Sequence, residues 1–172
     1  RSQALLIAKW MNVGFIHGVM NTDNMTISGE TIDYGPCAFL DEYDLSKVFS
    51  SIDQRGRYAF GNQPLIAQWN LARLAETLIP LLDDDQKVSI KLAEEAIVSF
   101  FGLFQKFHLQ GQCAKLGFEK IYPEDAKLIQ QLFQCMTQAK ADYTMIFRAL
   151  TEEKLHQHVE FQQWMKSWEQ RV

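Results

Sequence analysis

The sequence predicts a mainly α-helical fold with one small β-hairpin. After Gly61, apolar residues recur at helical spacing almost to the C-terminus. Residues 15–61 are instead rich in Gly, Asn, Asp and Pro, which is the composition of loops and turns. The length of 172 residues and the 47% hydrophobic content suit one globular domain, or a piece of a larger one. We therefore divide the chain into a loop-rich part, residues 1–61, and a helical part, residues 62–172.

The first two helices have clear sequence signals at their ends. The first is predicted over residues 2–13, where little polar surface remains, and Gly14 ends it. The second starts near Asn62, a plausible N-cap placed before Pro64 in the first turn. Pro80 and the three aspartates that follow Leu82 are expected to close it.

The later helices are predicted from the same kind of pattern. A third helix should run over residues 84–109, and the segment GQCAKLG at 111–117 should break it. The segment YPED at 122–125 restarts helical structure, because a proline and two acids suit a helix N-terminus. A last helix is predicted over residues 151–172, with TEEK at its start.

Composition and charge exclude several classes of protein. The 17 Lys and Arg residues are scattered among 21 acidic residues, the net charge is −4, and no long basic run occurs, so nucleic acid is not an expected partner. The three cysteines, Cys37, Cys113 and Cys135, lack the spacing of a zinc site or a disulfide framework. No apolar run reaches the roughly 20 residues that span a bilayer, and no signal-peptide pattern opens the chain. We expect no membrane partner and a cytoplasmic location, or a mitochondrial one if the source is eukaryotic.

The segment HGVMNTDN, residues 17–24, carries the strongest functional signal together with IDYG at 32–35. Proteins of the kinase fold have a His-x-Asp-x-x-x-x-Asn loop followed by an Asp-x-Gly loop. Asn24 stands seven positions after His17, and Asp33 opens Asp-Tyr-Gly. An amide oxygen and a carboxylate are ligands that Mg²⁺ accepts while it keeps positions for phosphate and water. Asn24 and Asp33 are therefore the predicted magnesium ligands.

Two further details of this segment need an explanation. Val19 occupies the position of the catalytic Asp of kinases. The residues between the two predicted ligands, MTISGETI at 25–32, have the pattern of a short hairpin that would bring Asn24 and Asp33 together.

Longer motifs then identify a family. The chain resembles the YdiU family, also called selenoprotein O, whose members are kinase-like protein adenylyltransferases. The resemblance is strong over residues 10–82 and rests on the segments HGVMNTDNM, TIDYGPCAFLDEYD, DQRGRYAFGNQP and QWNLARLAETL. It implies a kinase-like C-lobe, and transfer of AMP from ATP, with Mg²⁺, to Ser, Thr or Tyr hydroxyls of other proteins.

The resemblance also assigns residue roles. It implies that Asp23, directly before Asn24, is the catalytic base in place of the residue missing at Val19. It implies that Asn24 and Asp33 hold the magnesium ion. The chain opens at Arg1 without an initiator Met, and it holds no candidate for the Gly-rich loop and phosphate-binding lysine of the N-lobe. We therefore expect a C-terminal fragment that binds ATP weakly and is inactive by itself.

Other interpretations stay open at this point. Asn24 and Asp33 are also common turn residues. The parent protein could be a phosphotransferase of the kinase type, although Val19 counts against it, or a helical interaction module without activity. We call residues 17–24 the catalytic loop. His17 is expected to brace this loop through hydrogen bonds. Arg55 and Arg57 fit either a contact with phosphates or an acidic peptide, or a structural role.

Overall fold

The computed structural model describes residues 1–152 and 154–172, and over these residues the chain is mainly helical with one small antiparallel sheet. The predicted fold class is confirmed. The α-helices are α1 (Ser2–Val13), α2 (Gln63–Leu82), α3 (Gln86–Lys115), α4 (Asp125–Ala139), α5 (Tyr143–Thr151) and α6 (Gln162–Glu169). The strands are β1 (Phe15–Ile16) and β2 (Ala38–Phe39).

Helix α1 lies in the centre of the core, packed against α2 and α3. Ala4, Ile7 and Ala8 are almost completely buried, as the predicted lack of polar surface requires. The helix ends at Gly14, whose φ of 73° is left-handed. A Cβ at this position would lie 2.9 Å from the ring of Tyr143, so the close approach also favours glycine. The predicted bounds of this helix are confirmed, and α1 leads directly into β1.

The sheet joins the start of the loop region to its middle. Phe15 pairs with Phe39 and Ile16 pairs with Ala38, in antiparallel register. Inside this pair, the predicted hairpin at residues 25–32 consists of a single antiparallel bridge between Met25 and Thr31. A small antiparallel element near the catalytic loop is therefore confirmed, although the paired strands lie outside the predicted hairpin. The polar residues between the two bridge partners do not provide a second strand pair.

Helices α2 and α3 form a long antiparallel pair, and α3 is longer than predicted. It continues through Gly111 to Lys115. Gly111 does not break the helix, because it faces α1 at a point where a Cβ would collide with the side chain of Asn12. The glycine therefore marks close packing between helices. Helix α2 begins where predicted and continues two residues beyond Pro80.

The prediction of one helix over residues 151–172 is wrong. Helix α5 ends at Thr151, two 3₁₀ turns follow at Leu155–Gln157 and Val159–Phe161, and α6 starts only at Gln162. His158 between the turns has extended backbone angles, φ −99° and ψ 112°. The irregular path buries Leu155 and Phe161 and leaves Val159 75% exposed. The TEEK segment includes residue 153, which lies outside the described residues.

A buried polar network closes the C-terminal end of α1. The hydroxyl of Tyr143 donates to the carbonyl oxygens of Met11 and Asn12, at 3.1 Å each. The side-chain amide of Gln112 donates to the Tyr143 oxygen at 3.0 Å and to Oδ1 of Asn12 at 2.9 Å. The ammonium of Lys115 donates to the Asn12 carbonyl at 2.8 Å. These contacts satisfy carbonyl groups that a helix end leaves without partners.

An ion pair joins the C-terminal end of the chain to the start of α4. Nη2 of Arg171 donates to Oδ2 of Asp125 at 2.8 Å and to the carbonyl of Lys120 at 2.6 Å. The hydrogen bonds from Arg171 hold the pKa of the buried Asp125 carboxyl below its usual value. Within the described ranges, no helix is both long enough and apolar enough to cross a membrane.

Candidate functional site

The predicted catalytic base and one predicted metal ligand lie in a single 3₁₀ turn, Thr22–Asn24. The turn closes through a hydrogen bond of 3.1 Å from the backbone N–H of Asn24 to the carbonyl of Asn21. Asp23 is exposed to solvent in the middle of this turn, and Asn24 is half-buried. The turn therefore presents a free carboxylate directly beside an amide side chain.

His17 connects this loop to the second predicted ligand. It is completely buried, and its ring stacks on Trp10 with 5.5 Å between ring centroids. Its Nε2 lies 2.7 Å from the carbonyl oxygen of Ile32, which must accept, so this nitrogen carries the proton. Because Ile32 directly precedes Asp33, the hydrogen bond fixes the start of the Asp-Tyr-Gly loop. The predicted bracing role of His17 is confirmed.

Asp33 has an unusual backbone conformation. Its φ of 54° lies in the left-handed region, which costs a residue with a side chain free energy but is tolerated by Asp and Asn. This conformation turns the carboxylate toward the catalytic loop, where Oδ2 lies 3.4 Å from Nδ2 of Asn24. The fold therefore brings together the two predicted metal ligands, which are nine positions apart in sequence. Backbone strain of this kind is concentrated at functional sites.

The donor set can be compared with the needs of a metal ion. A carboxylate and an amide side chain offer the oxygen ligands that Mg²⁺ prefers. In the part of the chain that the structure describes, no group of three or more His, Cys, Asp or Glu side chains could hold a metal ion. Asn24 and Asp33 offer two side chains of the kind that magnesium–nucleotide sites combine with ligands from phosphate and water, and their role as magnesium ligands stays a prediction.

Helix α2 holds the catalytic loop through two amide side chains. Gln63, completely buried, accepts the backbone N–H of His17 at 3.0 Å and donates to the carbonyl of Phe15 at 2.9 Å. Two helical turns further along α2, Asn70 donates to the carbonyl of Met20 at 2.9 Å. Each side chain binds backbone groups that have no partner in a regular strand or helix.

Gln63 and Asn70 are positioning residues that the sequence motifs do not identify. A signal for Asn70 exists, because it lies among Ile66, Ala67 and Leu71 on the buried side of α2. A polar residue on an apolar helix face needs a hydrogen-bond partner. The pattern does not identify that partner, which is 50 residues away in sequence.

Helix α1 holds the residues between the two ligands from the other side. The indole N–H of Trp10 donates to Oγ1 of Thr31 at 2.9 Å. The side-chain amide of Gln3 donates to the carbonyl of Thr26 at 2.5 Å. Both ends of the segment between Asn24 and Asp33 are thus fixed to the buried central helix.

The segment after the Asp-Tyr-Gly loop folds back onto the catalytic loop. Asp53 accepts the backbone N–H groups of Arg57 and Tyr58 at 2.9 and 2.7 Å. The hydroxyl of Tyr58 donates to Oδ1 of Asn21 at 2.5 Å. The guanidinium of Arg57 stacks over the ring of Trp69, with its carbon 4.8 Å from the centroid. Arg57 therefore has a packing role, and contact with phosphate stays a prediction for it.

A cavity of about 290 Å³ opens next to the 3₁₀ turn. It lies between the start of α1, the segment after Asn24 and the middle of α2. Its lining is mostly apolar and includes Thr22, Met25, Leu71, Arg73 and Leu74. Thr22 of the turn lines this cavity, whereas Asp23, Asn24 and Asp33 do not.

Comparison with known proteins gives a consistent result. The model of the family described as Protein adenylyltransferase SelO matches residues 1–171. Curated relatives include the proteins named Protein nucleotidyltransferase YdiU of Halalkalibacterium halodurans, 58% identical over 177 residues, of Anoxybacillus flavithermus, 56% over 173, and of Alkaliphilus metalliredigens, 56% over 177. Each alignment covers 100% of this chain, which spans 36% of the length of each relative. The chain belongs to the SelO family, also called the YdiU family.

Proposed function

We propose that the complete protein transfers AMP from ATP to Ser, Thr or Tyr hydroxyl groups of other proteins in the presence of Mg²⁺. Membership of a family named for protein adenylyltransferase activity supports this proposal. The structural observation that carries it is the left-handed Asp33, whose carboxylate lies beside the amide of Asn24. A turn residue without a ligand has no need for this combination of strain and juxtaposition.

Asn24 and Asp33 hold the magnesium ion in this proposal. When bound, the ion neutralises charge on the ATP phosphates and helps to orient them. The contribution of the chain is to fix both side chains before ATP arrives. His17 fixes Asp33 through Ile32, and Asn70 fixes the loop that carries Asn24.

Asp23 acts as the base. Its exposed carboxylate accepts the proton of the acceptor hydroxyl while that oxygen bonds to the α-phosphorus of ATP and the bond to pyrophosphate breaks. Its exposed position directly beside a proposed metal ligand supports this role. Val19, half-buried and apolar, cannot perform this role.

Labelled ATP tests the proposal directly. The complete protein is incubated with Mg²⁺, a protein extract as acceptor, and ATP labelled either on the α-phosphate or on the γ-phosphate. We expect label on protein only from the α-position, and loss of this label in Asp23→Asn and in Asp33→Asn. The matched control is Glu94→Gln, which neutralises an exposed carboxylate on α3.

The same experiment separates the alternatives. Transfer of the γ-label would show a phosphotransferase and overturn the proposal. No transfer by wild-type protein that still binds ATP would favour an interaction module. Full transfer by Asp23→Asn, with loss in Asp33→Asn, would keep the metal site and reject the base.

A further inference from the structure

We propose that Tyr58 is a positioning residue for Asp23 and Asn24, acting through Asn21; this inference rests on the proposed function. Tyr58 belongs to the segment DQRGRY, residues 53–58, which comes 18 residues after the end of IDYG. It contributes none of the predicted ligands. Its hydroxyl nevertheless donates a short hydrogen bond, 2.5 Å, to the side chain of Asn21.

Asn21 is the residue on which the 3₁₀ turn closes. Its carbonyl accepts the backbone N–H of Asn24, and its φ and ψ of −70° and 168° turn the chain from the extended loop into the helical turn. The side-chain oxygen Oδ1 is a separate acceptor, and the hydroxyl of Tyr58 donates to it from outside the loop. A change in the backbone angles of Asn21 would change the direction of Asp23, which lies two positions later.

Tyr58 is itself held in place by its own loop. Both oxygens of the Asp53 carboxylate accept backbone N–H groups, one from Arg57 and one from Tyr58. The carbonyl of Gly56 accepts the backbone N–H of Ala59 at 3.1 Å and the side-chain amide of Asn62 at 2.7 Å. The hydroxyl of Tyr58 therefore comes from a closed and hydrogen-bonded loop.

The catalytic loop is thus held from two directions. Asn70 of α2 donates to the backbone carbonyl of Met20, while Tyr58 donates to the side chain of Asn21. Without the Tyr58 hydroxyl, the backbone contact remains and the turn keeps its place. The side chain of Asn21 loses its partner, so the turn that carries Asp23 is less restrained, and the chemical step should suffer more than ATP binding.

Tyr58→Phe in the complete protein tests this role, because it removes one oxygen and keeps the ring. We expect kcat to fall about tenfold, as misorientation of a catalytic group does, with the KM for ATP changed less than about twofold. The control is Tyr122→Phe, whose exposed hydroxyl makes no hydrogen bond within residues 1–152 and 154–172. Equal kcat values for Tyr58→Phe and wild type would overturn the proposal.

A double-mutant cycle asks whether Tyr58 acts through Asn21. We expect Asn21→Ala to lower kcat as well, and the double variant with Tyr58→Phe to lose no more than Asn21→Ala alone. Additive losses would mean that Tyr58 acts elsewhere, and they would overturn the assignment.

Amide hydrogen exchange gives a readout that does not depend on activity. In Tyr58→Phe, the Asn24 amide should exchange faster, because the turn that Asn21 closes is less restrained. Unchanged exchange would refute the contact. If wild-type protein transfers no AMP, the proposed function fails and the catalytic role of Tyr58 fails with it, whereas faster exchange would still identify the contact. The two failures are therefore distinguishable.

Discussion

The loop region, residues 14–61, and the helical region, residues 62–172, are stabilised in different ways. In the loop region, Ile16, Met20 and Phe60 are buried in the core, whereas Ile27 and Ile52 are 81% and Tyr34 is 66% accessible. The chain there is held by hydrogen bonds from side chains to backbone. In the helical region, Leu132 and Met136 are buried, with exposed fractions of 1% and 0%. The geometry of the site therefore depends mainly on these hydrogen bonds, whereas the stability of the fold depends mainly on the buried apolar side chains.

The two regions share one hydrophobic core, where Tyr43 and Phe60 of the loop region pack against Tyr143, and near the site they are joined by hydrogen bonds. Gln63 and Asn70 extend from α2 into the catalytic loop, and His17 extends from the loop toward the metal ligand. The helical region therefore serves as the rigid support on which the site is oriented. If this comparison holds, substitutions in the loop region should change activity, and those in the helical core should change stability.

Asp33→Asn should have the largest effect on activity. It keeps the shape and the tolerance for a left-handed backbone but removes the charge that we propose holds magnesium. We expect kcat/KM to fall about 10³-fold, equal to about 4 kcal/mol, with an unchanged melting temperature. Steady-state transfer assays and thermal unfolding measure both quantities. A large loss of stability would contradict the assignment of Asp33 to the site, because Asp33 would then stabilise the fold.

Leu132→Ala should have the largest effect on stability. This residue of α4 is 1% exposed, so truncation leaves a cavity and should cost about 3 kcal/mol of unfolding free energy. Chemical denaturation followed by tryptophan fluorescence measures the loss. The control is Leu81→Ala, at a site 79% exposed, which should change stability little. Normal transfer activity of Leu132→Ala below its melting temperature would support the view that this core residue contributes to stability and not to activity.

Tyr143→Phe should give a smaller loss. It removes a buried hydroxyl and leaves Gln112 and two carbonyls of α1 with fewer partners. We expect about 1.5 kcal/mol of destabilisation, seen as a lower denaturation midpoint with an unchanged slope. A loss of activity larger than the fraction unfolded would contradict the comparison, since this network lies away from Asp23.

His108 should give the smallest effect, through pH. Burial, with the nearby charge of Lys115, lowers the pKa of His108 from 6.5 to about 4. The unfolded chain therefore binds a proton at a higher pH than the folded chain, and stability falls as pH decreases through 6.5 toward 4. Between pH 6.5 and about pH 5.5 the unfolding free energy should decrease by about 1 kcal/mol.

Denaturation curves at several pH values measure this dependence, and His108→Phe should flatten it. The ring stacks on Phe104, with 5.6 Å between centroids, so an aromatic replacement keeps the packing. The same pH dependence in the variant would assign the effect to another group.

Local sequence signals predict those parts of the fold that depend on local chemistry. The bounds of α1 follow from its apolar run and from Gly14, and the start of α2 follows from Pro64 in its first turn. The side chain of Asn62 does not cap α2 but donates to the carbonyl of Gly56. The juxtaposition of Asn24 and Asp33 follows from the motif spacing, and the structure brings the two together. Their roles with magnesium, and the role of Asp23, stay predictions.

Features that depend on distant contacts are not predictable from local patterns. Gly111 has the pattern of a helix break, and only the approach of Asn12 from α1 explains why α3 continues. The turn at His158 replaces a helix because Leu155 and Phe161 must both reach the core. The hydrogen bond between Tyr58 and Asn21 joins residues 37 positions apart, and no periodicity reports it.

Intact-mass spectrometry of the complete protein and a hydroxyl-bearing acceptor protein tests the central claim most directly. Both are incubated with ATP and Mg²⁺, for wild type and for Asp33→Ala. The account predicts that the wild type adds an adenylyl group to protein and that Asp33→Ala adds none. A gain of a phosphoryl group, or an adenylyl gain that Asp33→Ala retains, would contradict it.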